Sequence, residues 1–119
     1  MSLDDDLLQL LSDNLRLGEA IYTLGSQQPN WIVRIAPEGI YVETERSRER
    51  GRVGPERVPA EMLSKAWDRL TVRGVLTNKE LRASDDLNVK RSSFVCAVLA
   101  QLPGVVVSST RPITLSYQR

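Results

Sequence analysis

A chain of 119 residues is long enough to bury the core of one domain, and its 26% charged and 41% hydrophobic content excludes a disordered or fibrous protein. It contains no histidine, which excludes Ser-His and Cys-His nucleophile pairs and His-bearing zinc sites. Residues 1–45 carry two arginines against eight acids, a net −6, and residues 46–119 carry fourteen Lys and Arg against seven acids, a net +7; a polyanion would meet the C-terminal half.

The single cysteine, Cys96, excludes a Cys-only metal site and an internal disulfide, and predicts a reducing, cytoplasmic compartment. No apolar run approaches the ~20 residues that cross a bilayer, and Met1 to Asp6 lacks the pattern of a signal peptide, so no membrane partner is expected. No Gly-rich phosphate loop occurs and no cofactor is expected. Glu43-Thr44-Glu45 reads as a solvated strand end, not a metal site.

Residues 1–17 predict a helix. Leu3, Leu7, Leu10, Leu11 and Leu15 recur at helical spacing, and Asp4, Asp5 and Asp6 sit at the positive end of the helix dipole. The stripe is narrow and all leucine, which fits packing on its own domain or a homodimer contact. Residues 20–45 predict a β-hairpin region. A short extended piece at 20–24 is broken by Gly25-Ser26-Gln27-Gln28-Pro29-Asn30. Trp31, Val33 and Ile35 then alternate with Ile32, Arg34 and Ala36, and Pro37-Glu38-Gly39 turns the chain into a second strand with Ile40 and Val42 on one side.

Residues 46–58 read as a basic loop. Arg46, Arg48, Arg50, Arg52 and Arg57 are interrupted by Glu49 and Glu56, and Gly51, Gly54 and Pro55 oppose regular structure. The segment fits an arm that touches phosphates and equally a solvated loop whose charges pair loosely.

Residues 59–117 predict a winged helix-turn-helix. Pro59 suits the first position of a helix, Met62, Leu63, Ala66, Trp67 and Leu70 form its stripe, and Gly74 stops it. Val75 and Leu76 link to Thr77-Asn78-Lys79-Glu80, a capping box that opens a short helix at 78–83. After a turn, a third helix at 90–102 shows Phe94, Val95, Val98, Leu99 and Leu102 on one face. Arg91, Ser92, Ala97 and Gln101 are expected to fall away from it, with Cys96 at its margin. Two strands follow, around Val105 and Val107 and around Ile113, Leu115 and Tyr117, with Arg111 at their turn. After Asp86 there is no acid, while Lys90, Arg91, Arg111 and Arg119 remain.

The fold class is thus α+β, an N-terminal helix and hairpin leading into three helices and a hairpin wing, in one domain. In that order the third helix offers its start to the major groove of double-stranded DNA. Lys90, Arg91, Ser92 and Ser93 are the candidate groove contacts, Arg111 the wing contact, and Asn78 and Lys79 phosphate contacts. Arg46, Arg48, Arg50 and Arg52 form an auxiliary arm. A protein-docking or dimerisation module on the same scaffold is the competing reading, and a small transcriptional regulator is another. Catalysis is not expected.

Several segments add a resemblance: Ile21-Tyr22-Thr23-Leu24-Gly25, Pro29-Asn30-Trp31-Ile32, Val42-Glu43-Thr44-Glu45-Arg46-Ser47, and Asn88-Val89-Lys90-Arg91-Ser92-Ser93 running on to Leu99-Ala100-Gln101-Leu102-Pro103-Gly104-Val105. Together, over roughly residues 19–117, the chain resembles the N-terminal domains of actinobacterial McrA-type HNH endonucleases, which restrict modified DNA. The resemblance implies an accessory or specificity module of a restriction system, with the nuclease in a separate, fused or associated domain. It assigns no residue roles.

Overall fold

A computed structural model of the chain describes residues 3–45, 55–84 and 89–118, without the side chains of 84, 89 and 90. The architecture is mixed α+β, with four helices and two antiparallel sheets among the described residues.

Helix α1, Asp5–Asn14, is capped by Asp4, whose carboxylate accepts the Leu7 N–H at 2.8 Å. It ends three residues earlier than expected, because Leu15 turns into extended backbone. Leu3, Leu7, Leu11 and Leu15 are all buried, so the leucine stripe is spent on the chain's own core.

Strands β1 (Ala20–Tyr22), β2 (Pro29–Ala36), β3 (Gly39–Thr44) and β4 (Glu56–Pro59) form a sheet in sequence order. The predicted alternation along β2 is broken between Ile32 and Arg34 by a bulge. The bulge turns both Val33 and Arg34 outward while Ile32 and Ala36 stay buried.

Strand β4 corrects the basic-loop reading at its C-terminal end. Residues 56–58 pair with β3, Ile40 opposite Val58 and Tyr41 opposite Arg57. The reason is Val58, which is fully buried and completes the inner face of the sheet. Residues 46–54, with Arg46, Arg48, Arg50 and Arg52, lie outside the described residues.

Helix α2, Ala60–Arg73, uses Pro59 as its N-cap and not as its first residue. Gly74 closes it at φ 84°, with its N–H on the Leu70 carbonyl at 2.8 Å. Trp67 packs at the core margin, edge-on to Tyr117 at 5.5 Å between ring centres.

The predicted linker is a strand, β5 (Val75–Thr77), followed by α3 (Asn78–Ser84), α4 (Val89–Leu99), β6 (Val105–Thr110) and β7 (Ile113–Tyr117). The second sheet runs β5-β7-β6. Val75 pairs there because Leu76 is fully buried opposite Leu115. The Thr77 hydroxyl accepts the Glu80 N–H at 3.2 Å, as the capping box predicts. Glu80 does not reach back; its carboxylate takes Arg73 at 3.2 Å.

Helix α4 differs most from expectation. It ends at Leu99, and every residue from Ser92 to Leu99 is buried, including Ser92, Cys96 and Ala97. It is packed by β1, α2, α3 and β7, which leaves no outward face along its body. One apolar cluster joins α1, both sheets and the remaining helices. The radius of gyration, 13.4 Å, is that of a single compact unit of this length.

Candidate nucleic-acid interface

The enclosure of α4 divides the predicted site residues into three groups. Ser92 is fully buried and Ser93 is 7% exposed, so neither stands out at the helix start as a groove-contacting residue would. Both are small enough for neighbouring backbone to close over them. Arg91 is partly exposed and its guanidinium pairs with the Glu56 carboxylate at 3.3 Å. Lys90 lies in the first turn of α4, and its side chain is outside the described residues.

The third group converges. A cleft of about 440 Å³ is walled by the β1–β2 turn, by α3 and by the β6–β7 turn. Asn78, Lys79, Ser93 and Arg111, four predicted site residues, line it. Arg82, which the sequence reading missed, joins them. Its signal was present: Lys79 and Arg82 are three residues apart on one helix and share a face. Lys79, Arg82 and Arg111 are exposed cations, and among the described residues no carboxylate lines the cleft. Charges so placed attract an anion from solution.

Local chemistry fixes the walls. In the β1–β2 turn the buried Thr23 hydroxyl accepts the Gln28 N–H at 2.9 Å and bonds the Ser26 hydroxyl at 2.8 Å. The Thr23 N–H donates to the Gln28 carbonyl, and the Gln27 N–H to the Thr23 carbonyl, both at 2.9 Å. This turn lies against the end of β6, since a Cβ on Gly25 would stand 3.5 Å from the Thr110 carbonyl oxygen. At the opposite wall, the Ser109 hydroxyl accepts the Arg111 N–H at 3.2 Å. The Asn78 side-chain oxygen is buried and has no hydrogen-bond partner among the described residues; buried polar groups are otherwise almost always paired.

Groups with displaced titration lie away from the cleft. Burial pushes the Cys96 thiol from 9.0 up to about 12. Glu38 is lowered by its backbone N–H and then by the Tyr41 hydroxyl, which donates to it at 2.8 Å; the same bond raises Tyr41. Among the described residues no three His, Cys, Asp or Glu side chains gather as metal ligands, and no helix is long and apolar enough to cross a membrane.

In comparisons with protein families, characterised proteins and solved structures, no family model, no protein and no structure matches this chain.

Proposed function

We propose that the chain is a non-catalytic DNA-binding domain of the winged-helix class. The order α2-β5-α3-α4-β6-β7, with β7 central in its sheet, is the winged-helix order and supports this reading. The observation that carries it is the cleft, where Lys79, Arg82 and Arg111 meet with no carboxylate among the described lining residues. Its charged contacts come from α3 and the hairpin turn, and between Ser92 and Leu99 α4 contributes only the nearly buried Ser93 to the cleft wall. Arg91 lies outside the cleft lining and is paired with Glu56. The resemblance to McrA-type endonucleases extends the proposal to an accessory module of a modified-DNA restriction system, with cleavage supplied by another domain.

A second reading has its own observation. Val106 and Val107 stand exposed on β6, an edge strand of the second sheet, and an exposed apolar edge suits a protein partner.

Fluorescence anisotropy of a labelled duplex decides between them. The logarithm of the binding constant is expected to fall linearly with the logarithm of salt concentration, through counterion release. No binding at low salt with about 100 μM protein, the weak end of non-specific DNA affinity, rejects the DNA reading. Plasmid incubated with the protein and magnesium is expected to remain intact, because the reading gives the domain no cleavage chemistry.

A further inference from the structure

We infer that the cleft between the β1–β2 turn, α3 and the β6–β7 turn seats one phosphodiester unit of a nucleic-acid strand. The N-terminal sheet is thereby part of the binding surface and not only a support. The inference rests on the DNA reading for the source of the phosphate, but the phosphate chemistry of the cleft stands on its own.

Three cations from two elements, Lys79 and Arg82 on α3 and Arg111 on the hairpin turn, supply the charge for a phosphate. The Asn78 carboxamide beside them has a buried oxygen with no partner. Leu24, Pro112 and Ile113 add an apolar wall, for which a bare inorganic ion has no use and a sugar does. At about 440 Å³ the cleft exceeds a phosphate group and falls in the size range of nucleotide-scale sites. The Thr23-centred hydrogen bonds hold the β1–β2 turn in shape before any ligand arrives, so little ordering is needed on binding.

The test uses the whole chain, isotopically labelled, with three probes: inorganic phosphate, a nucleoside monophosphate and a short duplex. Amide signals of Gly25, Ser26, Lys79, Arg82 and Arg111 are expected to move with the monophosphate and the duplex, and less with inorganic phosphate. Arg82→Glu and Ser26→Asp, checked for folding by circular dichroism, are expected to weaken duplex binding about tenfold each. Movement with the monophosphate alone keeps phosphate chemistry in the cleft but overturns the phosphodiester seat and, with it, the DNA reading. Duplex binding that leaves these amides unmoved, or that both variants retain in full, overturns the seat and spares the DNA reading. No shift of any amide in the chain with any probe overturns both.

Discussion

Gly39→Ala is expected to be among the most damaging single changes outside the core. Gly39 begins β3 at φ 145°, where a side chain costs about 1–3 kcal/mol. Its added Cβ would stand 2.1 Å from the Val58 carbonyl oxygen, 3.1 Å from the Val58 carbonyl carbon and 3.2 Å from the Ala60 nitrogen. All three are backbone atoms, so no rotamer relieves the clash. Strand β4 must retreat by about 1 Å or more to restore ordinary contact. That movement strains the Gly39–Pro59 pairing and the Ala60 N–H bond to the Glu38 carbonyl, at about 1 kcal/mol for each bond lost. The sum is about 3–5 kcal/mol, against a total stability of roughly 6–18 kcal/mol for a chain of this length. Gly74→Ala is the control. Gly74 is also left-handed, at φ 84°, but a Cβ there meets nothing within 4 Å, so only about 1 kcal/mol is expected. Urea unfolding followed by far-ultraviolet circular dichroism measures both. If Gly39→Ala costs no more than Gly74→Ala, the close approach of β4 to β3 is wrong, and with it the placement of Glu56 beside Arg91.

Arg91 and Glu56 form a partly exposed pair, so a double-mutant cycle with Arg91→Ala and Glu56→Gln should give a coupling of about 0.2–1 kcal/mol in unfolding free energy; zero coupling would place Arg91 elsewhere in solution. Cys96 should resist alkylation in the native chain and react once urea unfolds it, because its buried thiol stays protonated. Its folded pKa lies above its unfolded value, so the stability it contributes is complete below pH 9.0 and is lost as pH rises toward about 12. Relative to Cys96→Ala, the wild-type unfolding free energy should therefore fall by up to about 1.4 kcal/mol per pH unit in that window; parallel pH profiles would contradict the burial. Leu63→Ala and Leu115→Ala remove fully buried side chains and should each cost about 2–5 kcal/mol in the same urea experiment.

Much of the secondary structure was legible because its causes are local. The α1 stripe, the Gly74 stop, the Thr77 cap, the turn at 37–39 and the hairpin around Arg111 each depend on residues within a few positions of one another. Helical spacing, a left-handed glycine and a hydroxyl cap act before any tertiary contact forms. The two short strands β4 and β5 were not legible, because four and three residues carry too little pattern to declare a strand. Each became one only when Val58 and Leu76 were drawn into the core beside a waiting strand edge.

The site divided in the same way. That the C-terminal half carries the positive charge, and that no acid follows Asp86, followed from the sequence alone. Which of them stand together did not. Ser92, Cys96 and Ala97 are small enough to face solvent or core, and their burial was decided by β1, α2, α3 and β7 closing around α4. Arg91 met Glu56 across a separation of 35 residues, and the β1–β2 turn met the tip of the last hairpin across the whole chain. The sequence by itself determined where helices start and stop and which half carries the positive charge, since these depend on neighbours along the chain. Only the tertiary structure decided that the cations of α3 and the hairpin turn, and not the face of α4, line the open cleft, because burial and charge proximity are properties of packing between distant segments.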